Sequence, residues 1–192
     1  MSRPAPDQLL TSRLRLRRWL ERDLEPFAQM NACPEVMRHF PKMLSVEESN
    51  SFVGHMTREF EEENLGLWAV EILGSEQFIG FVGLHKPTFD AHFTPCVEVG
   101  WRLSKDFWGR GYATEAAQSA MADGYQRLGL QEIVSMTSIH NVNSMKVMER
   151  LGMTRNPDDD FLHPRIPVGD WLSQHVLYRQ SPETASGRLP AI

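Results

Sequence analysis

Phe107-Trp108-Gly109-Arg110-Gly111-Tyr112-Ala113-Thr114-Glu115-Ala116 decides how the chain is read, because two glycines stand there between a strand pattern and a helix pattern. Downstream, Ala113, Ala116, Ala117, Ala120, Met121, Gly124 and Leu128 recur at helical spacing and predict a helix whose apolar stripe faces a sheet. The first turn of such a helix carries N–H groups without intrahelical partners. Gly109 and Gly111 allow positive φ and close backbone approach, and no strong capping side chain stands beside them. An anion such as a pyrophosphate would satisfy those donors, although a plain structural turn reads the same way. The bend is not a Walker loop, since Tyr112-Ala113-Thr114 stands where that loop needs Lys-Ser/Thr. It also lacks the third glycine and the early position of a dinucleotide fingerprint.

Val97-Glu98-Val99-Gly100-Trp101-Arg102-Leu103 precedes the bend as a strand, and Glu132 to Ser138 follows its helix as another. Then His140-Asn141-Val142-Asn143-Ser144-Met145-Lys146-Val147-Met148-Glu149-Arg150-Leu151-Gly152-Met153 gives a polar turn, a helix and a glycine cap. On these two linked motifs the chain resembles, from about residue 10 to about residue 180, the GNAT superfamily of acetyl-CoA-dependent N-acetyltransferases. The resemblance is closest to the branch of RimJ/RimL-type ribosomal-protein N-terminal acetyltransferases, whose helices read like WGRGYATEA and NxxSxxVMExLGM.

Outward from these motifs, Arg13-Leu14-Arg15-Leu16-Arg17 alternates with period two and predicts a first strand with leucines inward and arginines outward. Glu21 to Ala32 reads as a helix, and Ser45-Val46-Glu47-Glu48 is a capping box opening a second, with Phe52, Val53, Met56 and Phe60 on one face and an end near Asn64. Leu67 to Leu73 and Phe78 to Leu84 read as strands joined through Gly74-Ser75-Glu76, and Trp171 to Tyr178 as the final strand. The order predicts an α/β (α+β) protein with a mixed, largely antiparallel sheet. The resemblance implies the GNAT fold, about seven strands with the fourth and fifth splayed and about four helices. One N-acetyltransferase domain over 1–192 is expected, with loosely ordered ends at Met1 to Pro6 and Ser181 to Ile192.

A net charge of −5 and a pI near 5.8 disfavour a nucleic-acid partner and suit a cationic acceptor. Cys33 and Cys96 lack metal-ligand spacing, and no apolar run is long enough for a membrane span or secretion signal, so a reduced, cytoplasmic protein is expected. Monomer and homodimer both remain open.

The resemblance implies acetyl-CoA as cosubstrate, no metal, and acetyl transfer to a primary amine by direct attack in a ternary complex. The acceptor would be a protein N-terminus, a small amine, an amino acid or an antibiotic. In that family the fourth strand ends in a bulge and offers backbone to pantetheine, which assigns Trp101, Arg102 and Leu103 here. An N–H from this segment at the thioester oxygen would act as a one-donor oxyanion hole, worth ~3 kcal/mol. Gly109, Gly111, Tyr112 and Ala113 would cradle the pyrophosphate with their amides, with Arg110 as an ionic partner. Trp108 replaces the family's usual Gln or Arg and reads as a core or lid aromatic.

Asn141 and Ser144 read either as capping residues or as contacts to the pantetheine and the leaving thiolate. Many relatives use a tyrosine where this chain has Met148, which with Met145 and Leu151 reads as core. Glu98 is the candidate general base, its period-two face opposite Val97, Val99 and Trp101, with an ordinary surface carboxylate as the alternative. Cys96 reads as inert packing and His140 as a turn residue. Phe89, His92 and Phe93 either wall an acceptor pocket or cover the sheet, while Asp158-Asp159-Asp160 reads as solvated and able to attract a cationic amine. Phe40, Met43 and Trp68 are further acceptor candidates. The rival to an enzyme is an acyl-CoA-binding sensor without catalysis.

Overall fold

The computed structural model describes residues 4–182. Its elements in chain order are β1 (Gln8–Leu10), β2 (Leu14–Arg17), α1 (Leu24–Asn31), α2 (Pro34–Met37), α3 (Val46–Glu63), β3 (Leu67–Ile72) and β4 (Gln77–His85). There follow β5 (Glu98–Leu103), α4 (Tyr112–Leu128), β6 (Ile133–Ser138), α5 (Val142–Arg150), β7 (Thr154–Arg155), β8 (Phe161–Leu162) and β9 (Gln174–Gln180). The sheet has nine strands in the order β1-β2-β3-β4-β5-β6-β9-β7, with β8 also on β9. Every pairing is antiparallel except β5 with β6.

Local chemistry sets these boundaries. Ser45 Oγ accepts from Glu48 N at 3.2 Å while Glu48 Oε2 accepts from Ser45 N at 2.9 Å, so α3 opens on a closed capping box. It stops where Asn64 turns left-handed at φ 57°. On one sheet face Leu14, Leu16, Val82 and Val99 are fully buried beneath α4 and α5. Ala116, Ala117 and Ala120 let α4 lie close, and a Cβ on Gly124 would come within 2.6 Å of Leu84. On the other face, Phe27, Met30, Val53 and Met56 of α1 and α3 pack over Leu67 and Phe81. A separate cluster around Phe93, Val134 and Leu177 covers the β6–β9 end. Between the two, β5 presents Glu98, Gly100 and Arg102 on the same face, as period two requires.

Several expectations change. The arginines of β2 do not all face water: Arg17 is 7 % exposed, its guanidinium bonded to Asp23 at 2.6 and 2.8 Å and to Glu71 at 2.7 Å. The segment 18–31 covers that face, and a buried cation needs paired carboxylates there. The final strand starts at Gln174, because Asp170 holds Leu172 N and Ser173 N in a turn and leaves Trp171 50 % exposed before the sheet begins. β1 and β8 are additional strands of two or three residues, too short for a periodic signal. Ala5 packs into the core and its carbonyl accepts from Arg18, so that part of the N-terminal segment is fixed. The rest of the expectation about loose ends lies largely outside the described residues.

The strand before the bend, fourth in the expected count and β5 here, meets β6 through one bridge, Glu98 with Val134. Val134 N donates to Val97 O at 2.9 Å, and Ser135 Oγ donates to Val99 O at 2.9 Å. Beyond Val99 the two strands part, as expected of the splay. The bulge does not accompany it, since β5 keeps continuous register with β4 from Glu98 to Leu103. The register shift lies instead between β3 and β4, where Gly80 adopts φ 137°.

Candidate active site

The bend has the form its glycines suggested. Gly109 and Gly111 sit at φ 74° and 80°, and α4 begins without a side-chain cap. The N–H groups of its first turn therefore face outward. Trp108 is 44 % exposed, so it is no core residue, and its Nε1 donates to Leu103 O at 2.8 Å, tying the bend to the end of β5. Arg110 is exposed and lies 5.8 Å over the Phe107 ring, while its carbonyl accepts from Arg13 Nη1 at 3.0 Å.

Arg13 escaped the sequence reading, which treated it as an outward strand residue. It stacks 4.7 Å over Tyr112 and pairs with Glu115 at 2.6 Å. Glu115 also accepts from Thr11, Ser12 and the Arg13 amide. Burial alone would raise the Glu115 carboxyl, but the bonds from Thr11, Arg13 and Ser12 outweigh it and hold the group low. The turn between β1 and β2 is thus clamped to α4, beside the bend.

Alternation along β5 sorts the three backbone candidates. Ser104 N donates to Ile79 O, so even-numbered residues turn their polar backbone toward β4. Val97, Val99, Trp101 and Leu103 turn theirs toward β6, where Trp101 has no strand partner. The Leu103 carbonyl is taken by Trp108, leaving its N–H. Arg102 is the correction: its backbone belongs to the β4 ladder opposite Phe81, and its side chain points to the face away from α4.

At the far end of the gap, Asn141 caps α5. Its Oδ1 accepts from Ser144 N at 3.2 Å and its Nδ2 donates to Thr137 Oγ1 at 3.0 Å, so each end of the amide makes one structural bond and keeps a second N–H and a second lone pair. The Ser144 hydroxyl has no hydrogen-bond partner among the described residues and is partly exposed. Met148 is 1 % exposed, in the core as expected. Of the chain's three tyrosines, Tyr112 lies under Arg13, Tyr125 bonds Gln180 and Tyr178 bonds Glu149. None of them stands on α5.

Glu98 is neither fully exposed nor alone. Its carboxylate lies 3.1 Å from His85 Nε2, directly across the strand pair, with the two side chains 13 % and 27 % exposed. Burial alone would lower the His85 imidazole, but the Glu98 charge and hydrogen bond override it and raise the pKa. Glu98's field also reaches His163 and His175. Those two rings lie 4.9 Å apart, and burial leads in pushing both down, His175 to about 4. One histidine with a raised pKa therefore sits near two whose pKa values burial lowers. No sequence pattern groups the three, because they come from β4, the loop after β8 and β9. Among the described residues no group of three or more His, Cys, Asp or Glu is arranged to hold a metal ion.

The floor between Glu98 and Arg102 is Gly100, where an added Cβ would meet nothing nearer than His85 at 3.8 Å. Phe89, Phe93 and Phe161 pack into one aromatic cluster with His163, so the segment after β4 covers the sheet while its edge adjoins the histidines. Trp68 drops out as an acceptor contact: it is 3 % exposed on the α4 face, packed on Phe60 at 4.4 Å. Met43 is 52 % exposed, and Phe40 lies under the Arg102 guanidinium at 4.0 Å. Within the acidic run Asp159 binds Arg179 and Asp160 binds Arg155, which leaves Asp158 as its exposed carboxylate without an ion pair among the described residues. Burial raises the Cys96 thiol to about 11, which leaves it unreactive at neutral pH, as read.

The GNAT acetyltransferase domain matches residues 13–154. Over 169 residues the chain is 25 % identical to the uncharacterized N-acetyltransferase YnaD of Bacillus subtilis, covering 87 % of this chain and 93 % of that one. A GNAT-family acetyltransferase structure from Bacillus anthracis superposes with a TM-score of 0.75 at 25 % identity, covering 92 % of this chain and 99 % of the other. Mycobacterium smegmatis RimJ, solved in complex with CoA-disulfide, matches in fold with a TM-score of 0.71 at 17 % identity, over 88 % and 82 %. The chain belongs to the GNAT acetyltransferase family and is an acyltransferase. Within that family, RimJ/RimL-type enzymes are among its structural neighbours. No helix among the described residues is long and apolar enough to cross a membrane.

Proposed function

We propose that the chain moves an acetyl group from acetyl-CoA to a primary amine, on a protein N-terminus or a small molecule, by direct attack in a ternary complex. The observation that carries this reading is the gap between β5 and β6, which runs from the uncapped start of α4 to the Glu98–His85 pair. The amides of Gly109, Gly111, Tyr112 and Ala113 hold the pyrophosphate, and Trp101 and Leu103 pair with pantetheine as an added strand would. A Trp101 or Leu103 N–H stabilises the thioester oxygen as the amine nitrogen attacks the carbonyl carbon. The amine's proton leaves to the Glu98–His85 pair, directly or through a water, the C–S bond breaks, and the departing thiolate accepts a hydrogen bond from the Ser144 hydroxyl and is protonated by solvent water.

Acetyl-CoA turnover, read as free thiol, against peptides with varied N-termini, polyamines, amino acids and aminoglycosides tests this. Acceptor-dependent release is expected. Tight CoA binding without release from any of them would favour a sensor, the reading that the lack of a tyrosine on α5 supports. Ser144→Ala is expected to lower kcat by about 10-fold or more with unchanged KM for acetyl-CoA, and an acceptor amine of lower pKa would not rescue it. An unaltered kcat would remove Ser144 from the mechanism.

For the bend, Gly111→Val is expected to weaken CoA binding by about 10-fold or more, because a β-branched residue strains the left-handed turn that aims the amides. Gly129→Val puts the same strain at the other end of α4, at φ 68°, and should cost stability while leaving the CoA Kd alone. Calorimetric titration of both variants decides whether the bend binds the cosubstrate.

A further inference from the structure

Arg102 is a guanidinium 8 % exposed, on the sheet face that carries Glu98 and Gly100. Its Nη1 donates to Asn31 Oδ1 at 2.7 Å, and Asn31 is fixed in turn by Ser49 at 2.9 Å. Its Nε has no partner, and no carboxylate among the described residues pairs with it. Phe40 stacks on it at 4.0 Å, with Phe81 and Phe52 at 5.4 and 5.7 Å. Rings hold a cation but do not neutralise it.

Arg17 makes the contrast. It is equally buried and is surrounded by Asp23 and Glu71. A buried cation left without a counter-ion is normally selected against unless something supplies the anion. The pyrophosphate is not placed to be that anion, because α4, whose first turn holds it on the reading above, packs on the sheet face opposite Arg102. Burial lowers the Arg102 pKa to about 10, so the charge persists at neutral pH.

We propose that Arg102 is the specificity residue of the acceptor site and receives a carboxylate of the acetyl acceptor, whose amine lies at the Glu98–His85 pair. The inference rests on the acyl-transfer reading above. Glu98 and Arg102 stand four residues apart, about 13 Å between Cα atoms at strand rise, with side-chain-free Gly100 between them. The acceptor therefore carries its amine and its carboxylate at separated points. A small peptide-like amino acid meets this requirement, and so does a protein N-terminus with an acidic residue close behind.

Glycylglycine against glycylglycine amide tests the first source, and amidated tripeptides with aspartate or asparagine second test the second. The unaltered protein with acetyl-CoA is expected to favour the acid over its neutral twin by about 10- to 100-fold in kcat/KM in at least one pair. Arg102→Gln should bring that ratio toward one, and Arg102→Lys should keep part of it. Binding of the N-acetylated acid and its amide to the CoA-loaded protein, by calorimetry, reads the same preference without turnover. Preferential binding of the acid that Arg102→Gln abolishes supports the assignment even if no thiol is released, in which case only the acyl-transfer reading fails. Equal handling of acid and amide by the unaltered protein, in rate and in binding, overturns the assignment whether or not the variants fold.

Discussion

Glu98→Gln is expected to lower kcat for acetyl transfer by about 10²- to 10⁴-fold, the usual contribution of a positioned base, with the KM for acetyl-CoA unchanged. The pH profile gives a second readout. With His85 as imidazolium, the Glu98 carboxylate is engaged at 3.1 Å, and only after that proton is lost can the pair accept one from the amine. Activity should therefore rise with pH along a limb set by His85, above its ordinary 6.5 because Glu98 raises it. In Glu98→Gln burial is the main remaining influence and pushes His85 below 6.5, so the residual limb should move down.

The same shift has a stability consequence of fixed sign. A histidine whose folded pKa is raised contributes its stabilisation in full below the ordinary value, and loses it as pH rises through the raised one. The unaltered protein should lose that increment of thermal stability above pH 6.5, and the glutamine variant should show no such loss. A kcat within a few-fold of the unaltered protein would remove Glu98 as base.

Glu71→Ala is expected to cost about 3–5 kcal/mol of folding stability. Glu71 is 1 % exposed and serves Arg17 at 2.7 Å and Arg15 at 2.8 Å, so among the described residues its loss leaves the buried Arg17 with Asp23 and Arg15 without a carboxylate. The network ties β2 and β3 to the segment before α1, on strands away from β5, so kcat and KM per folded molecule should stay put. Denaturant unfolding of both proteins measures the difference. A loss under 1 kcal/mol would mean the buried network is relaxed by water.

The main architecture was legible because the decisive signals are local. The capping box at Ser45, the alternation in Leu14-Arg15-Leu16, the two glycines of the bend and the Met145, Met148 and Leu151 stripe each act within a few residues of themselves. What escaped needs distant segments. His85 meets Glu98 only when β4 pairs with β5, and His163 and His175 arrive from a loop and the last strand. Arg13 lies 102 residues from Glu115, and nothing in a period-two pattern shows which arginine will be covered. Asn141 was read both as a cap and as a ligand contact. The cap is visible in the structure, and its two hydrogen bonds leave one N–H and one lone pair of the amide over.

The nine strands divide at Glu98–Val134 into two leaves, β1 to β5 and β6 to β9, and among the described residues that bridge is their one backbone ladder contact. Elsewhere along the seam the leaves are held by the Ser135 hydroxyl on the Val99 carbonyl and by side-chain packing under α4 and α5. On the proposed reading, acetyl-CoA completes the missing ladder and makes the sheet mechanically continuous. Stiffness across the seam then belongs to the loaded protein alone, and each turnover must give it up again when the thiol departs.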